Sequence, residues 1–103
     1  MILYIAAILD VNRKPLAYKV GVTSCDIKYR LQVLRRLSPF ELCLTHRRTF
    51  SESKRYVCRD FENAIKRMLL RNQLRFRPET SEWFAPETLP KVLEMFNAKT
   101  LPN

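Results

Sequence analysis

Two runs of apolar residues open the chain and predict a pair of β-strands. Residues Ile2 to Leu9 are rich in Ile, Leu and Tyr, and after a polar stretch a second run covers Leu16 to Thr23. Short runs of this kind on either side of a polar turn are typical of paired strands. The first run is too short to span a bilayer and has no basic residue before it, so we interpret it as a buried strand and not as a targeting or membrane segment.

The pattern then changes to a helical spacing. Apolar side chains recur at i, i+4 and i+7 from Ile27 to Leu34, which corresponds to one face of an α-helix. Asp26 is suited to cap the start of this helix. We expect the helix to end near the Ser38-Pro39 pair, because the residue before a proline disfavours helical backbone.

The rest of the chain predicts one more strand and two more helices. Phe40 to Phe50 mixes leucines with β-branched threonines, which favours a third strand. From about Ser53 to Asn72 the apolar residues return to helical spacing, with basic residues on the other faces. The apolar stripe consists of Val57, Phe61, Ala64, Ile65 and Met68, and at 100° per residue Glu62 lies about 110° from its centre. A charged, aromatic loop follows, with a short extended piece at 82–84, and a last helix begins near Pro86 or Pro90 and runs through Phe96.

This order of elements predicts an α+β fold, similar to an α/β sandwich, in which helices flank a small three-stranded, mainly antiparallel sheet. At 103 residues the chain suits a single domain, with a core over about residues 2–85 and a C-terminal helix over about 86–98. Its 47% apolar residues suffice for one modest core, so we expect no second domain.

The chain is strongly basic, with 19 Lys and Arg against 10 Asp and Glu and a formal net charge of +9. This charge favours a polyanionic partner, and nucleic acid is the first candidate. An anionic membrane is a weaker candidate because no long helix has a clean basic face; solubility alone is the third explanation. Cys25, Cys43 and Cys58 form no CxxC pair, which disfavours a disulfide framework or a zinc site and fits a reducing cytoplasm.

Short motifs occur in an order that points to a family. Tyr4 stands in the first strand, YKVGVT closes the second strand at 18–23, Arg30 and Glu62 stand in the first and second helices, and EWF follows at 82–84. Over about residues 2–85 the chain resembles the GIY-YIG endonuclease superfamily. It looks most like the small phage-associated branch, whose pattern reads YKIG-x-T, then an arginine, an acidic residue in an apolar helix, and EWF.

The resemblance implies a metal-dependent DNA endonuclease of the cytoplasm of a bacterial or phage-infected cell. It implies that Glu62 holds one Mg²⁺ or Mn²⁺ ion with most of its waters, and that Arg30 contacts the scissile phosphate. Tyr4 would orient or deprotonate the attacking water. A phenol is a poor base at neutral pH without a nearby cation, and Lys19 would supply that cation. Lys19 occupies the position where the family usually has a tyrosine, and alternation along the strand sends Tyr18 to the opposite face.

The proposed catalytic residues also have purely structural explanations. Tyr4 can fill the core, as aromatic residues in strands commonly do, and the side chain of Arg30 can extend to solvent. Glu62 can form a helical i, i+4 ion pair with Lys66.

Three further residues are predicted to serve the structure. Gly21 is the only glycine in the sequence, which indicates a strict steric need at that position, for packing or for a ligand. Trp83 and Phe84 of the EWF motif are expected to seal the sheet.

A set of basic residues is predicted to bind the DNA backbone without reading bases, which implies strong salt dependence and little sequence preference. These residues are Arg35, Arg36, Arg47, Arg48, Lys66, Arg67 and Arg71, with Arg75 and Arg77 as additional candidates. The sequence contains no helix-turn-helix or zinc-finger motif. Any specificity must therefore come from DNA shape, from a homodimer or from a partner protein.

The sequence leaves three functions open. The first is a small endonuclease with low intrinsic sequence specificity. The second is a catalytically silent nucleic-acid-binding protein of the same fold, motivated by the first motif, in which Ile2-Leu3-Tyr4 lacks the family's glycine. The third is a phage effector that binds a host protein.

Overall fold

The computed structural model describes residues 1–24, 26–36, 40–74 and 83–101. The strands are β1 (Ile2–Leu9), β2 (Pro15–Thr23), β3 (Glu41–Thr49) and β4 (Trp83–Phe84). The helices are α1 (Ile27–Arg36), α2 (Arg55–Arg71) and α3 (Leu89–Phe96). Single 3₁₀ turns at Glu52–Lys54 and Pro86–Thr88 precede α2 and α3.

The four strands form one antiparallel sheet in the order β3-β1-β2-β4. The predicted fold class, a small antiparallel sheet flanked by helices, is confirmed. The sheet is one strand wider than predicted, because Trp83 pairs with Lys19 and Phe84 with Tyr18. The sequence had indicated only a short extended piece there, and its first residue, Glu82, lies outside the described residues.

Helices cover both faces of the sheet, and the central strand β1 alternates between them. Leu3 and Ile5 belong to a core cluster formed with residues of α2 and α3. Tyr4 and Ala6 belong to a second cluster, formed with residues of α1. Every residue of β1 from Leu3 to Leu9 is consequently buried, and its two faces serve two separate cores.

The start of α1 follows the sequence prediction. The Asp26 carboxylate Oδ1 accepts a hydrogen bond of 2.8 Å from the backbone N–H of Lys28, so Asp26 satisfies one of the free donors of the first turn. Helix α1 extends to Arg36. The predicted end at the Ser38-Pro39 pair lies outside the described residues.

The buried stripe of α2 is rotated from the one that the sequence suggested. Cys58, Phe61, Ile65 and Leu69 are its buried residues. The predicted stripe gave more weight to Val57 and Met68, which are only partly buried against the same cluster. At 100° per residue the observed stripe is centred about 55° from Glu62, and not about 110° as its sequence pattern suggested. Glu62 therefore lies closer to the core than expected.

The helices of the described chain are short or charged. None of them is both long enough and apolar enough to cross a membrane.

Candidate functional site

The side chain of Tyr4 lies directly over Gly21. The two residues are partners in the register of β1 and β2, and a Cβ atom at position 21 would lie 2.5 Å from the Tyr4 hydroxyl and 2.7 Å from its Cζ. Gly21 does not adopt a positive φ, so its backbone conformation is open to other residues. The only glycine in the sequence is required because Tyr4 occupies the space of a side chain.

Arg30 contacts the same tyrosine from helix α1. Its Nε–H donates a long hydrogen bond of 3.4 Å to the Tyr4 hydroxyl. Tyr4 is fully buried, whereas Arg30 is half-buried. The guanidinium group of Arg30 thus connects a buried phenol to the protein surface.

Lys19 lies on the same face of the sheet, two residues before Gly21 on β2. It is 6% exposed, and its Nζ lies 5.5 Å from the centre of the Trp83 ring. Tyr18 points to the opposite face, where its ring stacks on Phe84 at 5.8 Å. Lys19, and not Tyr18, therefore shares a face with Tyr4.

A third cation comes from strand β3. Arg47 is the register partner of Tyr4 on that strand, so its side chain projects from the same face, and it is exposed. Arg47, Tyr4 and Gly21 consequently form one row across the sheet, with Arg30 above it.

Glu62 stands apart from this row. It belongs to α2, whose apolar residues pack on the opposite face of the sheet. Its side chain is only 13% exposed, and one carboxylate oxygen lies 3.3 Å from Nζ of Lys66. The i, i+4 ion pair considered at the level of sequence is therefore present.

A cleft of about 300 Å³ lies between α1 and α2 at the end of β2. Arg30 of α1 lines it, and so does Arg59 of α2, which lies one helical turn before Glu62. The other lining residues are Met1, Val22, Thr23, Ser24, Tyr29 and Val33. Arg59 and Tyr29 were not selected from the sequence. The spacing of Arg59 from Glu62 was the available signal, since residues at i and i+3 share a helix face.

The predicted DNA-binding residues are distributed over different surfaces. Arg48 donates to the backbone carbonyls of Phe96 at 3.0 Å and Ala98 at 2.6 Å, and its guanidinium group lies over the rings of Phe50 and Phe61. These contacts link β3 to the C-terminal end of α3.

The remaining cations divide into three groups. Arg35 donates from Nε to the carbonyl of Leu42 at 3.1 Å, and Arg36 is exposed in the same turn. Lys66 pairs with Glu62. Arg67 and Arg71 line a groove between α2 and α3 together with Lys91. The candidates Arg75 and Arg77 lie outside the described residues.

The thiol of Cys58 lies one turn before Glu62 but is chemically protected. Burial raises the pKa of Cys58 from 9.0 to about 11, and the residue is fully buried. A thiol in this state is a poor nucleophile at neutral pH. The cysteine therefore belongs to the core and not to the site.

The donor set for a metal ion is sparse. Among residues 1–24, 26–36, 40–74 and 83–101 no three His, Cys, Asp or Glu side chains cluster in a way that could hold a metal. Glu62 offers a single, largely buried carboxylate. Mg²⁺ is often bound by one or two carboxylates together with phosphate oxygens and waters, so this donor set fits Mg²⁺ or Mn²⁺ and does not fit a tetrahedral zinc site.

The fold and the cleft define a small basic α+β protein in which Arg30 contacts a buried tyrosine of an antiparallel sheet beside an arginine-lined cleft. The chain belongs to the T5orf172 domain family, which matches residues 1–98. This is a phage-associated, nuclease-related family. No curated protein and no solved structure gives a significant match to the chain.

Proposed function

We propose that this protein is a metal-dependent endonuclease of the GIY-YIG type that hydrolyses DNA phosphodiester bonds with little sequence preference. The observation that carries the proposal is the hydrogen bond between Arg30 and the Tyr4 hydroxyl beside an open, arginine-lined cleft. Membership of a nuclease-related family supports it. The excess of basic residues supplies the attraction to DNA.

Arg30 binds the scissile phosphate in this proposal. A guanidinium group is permanently charged and presents a planar set of donors that match phosphate oxygens. Arg30 donates from Nε to Tyr4 and also lines the cleft. The arginine thereby places the phosphate next to the phenol.

Tyr4 orients the attacking water and receives its proton, and Lys19 supplies positive charge on the same face of the sheet. Tyr4 packs against Gly21 and accepts a hydrogen bond from Arg30, so the position of its hydroxyl is restricted from both sides. The long 3.4 Å bond between Arg30 and Tyr4 would tighten when substrate binds, as hydrogen bonds between catalytic groups commonly do.

Glu62 is the residue that would hold Mg²⁺ or Mn²⁺, and such an ion would act as a Lewis acid that stabilises the departing oxygen. The Glu62 carboxylate would hold the ion beside the Lys66 ammonium group, which lies 3.3 Å from it.

The test is nicking of supercoiled plasmid by the parent, Glu62→Gln and Arg30→Ala proteins with Mg²⁺ or Mn²⁺, alongside DNA binding by all three. Asp60→Asn is the matched control, since Asp60 is an exposed acid on the same helix. We expect the parent and Asp60→Asn to nick, and the other two to lose roughly 10²- to 10³-fold in rate. Glu62→Gln should still bind DNA. Nicking by Glu62→Gln at the parental rate would overturn the assignment.

A second function is favoured by the complete burial of the Tyr4 side chain. A protein that binds DNA without cleaving it needs Arg30 and the cleft but needs no accessible phenol. Binding by all the proteins in the same experiment, with no nicking by the parent, would establish this function.

A further inference from the structure

The cleft at the end of β2 has a cationic side. Arg30 and Arg59 reach it from two different helices. Arg59 is exposed and forms no ion pair with a residue that the structure describes, whereas Arg55, one turn earlier, pairs with Glu52 at 3.8 Å. Two guanidinium groups from separate elements at one small opening suit a single phosphodiester group.

The cleft also has an aromatic and apolar side, which phosphate binding does not require. Tyr29 lines the cleft and is 61% exposed. Val33 follows one turn later on the same helix, and Val22 adds a second apolar side chain from β2. An anionic group on one side and a flat apolar group on the other are the two parts of a nucleotide.

The size of the cleft limits its occupant. About 300 Å³ is at the low end for small-molecule sites and admits one nucleotide but no double helix. In an intact duplex the flat faces of the bases are stacked on one another, so Tyr29 could not reach them. Only an unpaired nucleotide offers a base for stacking on an aromatic side chain.

We propose that this cleft binds one unpaired nucleotide of a DNA strand, with its phosphate between Arg30 and Arg59 and its base stacked on Tyr29. The substrates preferred by the protein are then DNA ends with unpaired nucleotides, flaps or single strands, and not blunt or continuous duplex. The inference rests on the proposed function for the identity of the ligand as DNA.

The test is binding to a short DNA duplex that ends in one unpaired nucleotide, compared with the same duplex with blunt ends. The unpaired nucleotide carries a fluorescent purine whose emission is quenched by stacking. Measurements are made in EDTA, so that hydrolysis does not contribute. The proteins are the parent, Tyr29→Ala, Tyr29→Phe and Tyr56→Ala; Tyr56 is the matched control because it is 68% exposed and lies outside the cleft.

We expect the parent, Tyr29→Phe and Tyr56→Ala to quench the fluorescence and to bind the unpaired end roughly tenfold more tightly than the blunt end. Tyr29→Ala should lose both the quenching and the preference. If Tyr29→Ala keeps the parental preference, or if the parent binds both DNAs equally, the proposal is wrong.

A second pair of variants tests the phosphate-binding side of the cleft. Arg59→Ala should weaken binding to the unpaired end by roughly three- to tenfold, and Arg55→Ala should leave it near the parental value. Equal effects of the two changes would overturn the role of Arg59. Since all these readouts are binding, a parent that binds the unpaired end but never nicks plasmid would refute the proposed hydrolysis and leave the nucleotide site supported.

Discussion

The hydroxyl of Tyr4 occupies the space that a side chain at position 21 would need. A Cβ atom there would lie 2.5 Å from that hydroxyl, well inside van der Waals contact. Because Tyr4 is fully buried between the sheet and α1, it cannot move aside without disturbing the packing around it. Tyr4 and Gly21 are therefore one structural unit, in which each residue determines what the other position can accept.

Gly21→Ala should lower the free energy of unfolding by about 1–3 kcal/mol, the usual cost of inserting a methyl group into a packed site. The cost should be smaller in a Tyr4→Leu background, since the leucine frees the space. Chemical denaturation of the parent, both single variants and the double variant gives the coupling energy. Additive effects would mean that the steric contact does not explain the glycine.

Arg48 and Arg47 are adjacent in sequence but should differ in their contribution to stability. Arg48→Gln should cost about 1–3 kcal/mol, because it removes two hydrogen bonds to backbone carbonyls and two contacts with aromatic rings. Arg47→Gln should change the free energy of unfolding by less than about 0.5 kcal/mol, as exposed substitutions commonly do. Thermal and chemical denaturation check both values, and equal losses would contradict the structural role of Arg48.

The Cys58 thiol should make stability fall at high pH. Its pKa is about 11 in the folded protein, against 9.0 for its ordinary value, so between these pH values the folded state holds a proton that the unfolded state has lost. The free energy of unfolding should therefore be unaffected below pH 9 and decline by about 2–3 kcal/mol as the pH rises to about 11.

The comparison that isolates this effect is Cys58→Ala. This protein should be less stable than the parent at neutral pH because it contains a cavity, and the difference from the parent should shrink between pH 9 and 11. Cys43→Ala, at a partly exposed cysteine, serves as the control. A pH dependence of Cys58→Ala equal to that of the parent would contradict the prediction.

Salt dependence should reveal which face of the protein meets DNA. Arg47 shares the face of Tyr4, whereas Arg67 and Arg71 line the groove between α2 and α3, the two helices that cover the opposite face. A strand held beside Arg30 contacts the first face, so Arg47→Gln should reduce the slope of log affinity against log salt by about 0.7–0.9. Arg67→Gln combined with Arg71→Gln should leave that slope unchanged; the reverse result would place DNA in the groove.

Most of the fold could be predicted because the apolar residues of the long helices and strands recur with the spacing typical of those elements. The limits of β1 agree with those of its apolar run, and Asp26 caps α1 as its side chain allows. Strand β4 was less predictable, since two residues carry no periodicity and their pairing depends on the distant Tyr18 and Lys19.

The candidate site was predictable only in part. The sequence singled out Tyr4, Lys19 and Arg30, and strand register together with α1 brings them to one face of the sheet. It missed Tyr29 and Arg59, because a helix pattern identifies the buried side and says little about which exposed residues face one another across a cleft. The sequence selected Arg48 for its charge, and it could not reveal the contacts of Arg48 with Phe61, Phe96 and Ala98, which lie far along the chain.

The position of β1 has a consequence for how the protein opens. The strand is paired along both edges and buried on both faces, so the amide hydrogen of Tyr4 should exchange with solvent only when the whole molecule unfolds. Arg30, by contrast, stands on a ten-residue helix with two buried residues, Ile27 and Leu31. Such a helix can detach in a smaller fluctuation. The position of Tyr4 is then maintained as long as the protein is folded. The lifetime of its contact with Arg30 is determined by how often α1 detaches from the sheet.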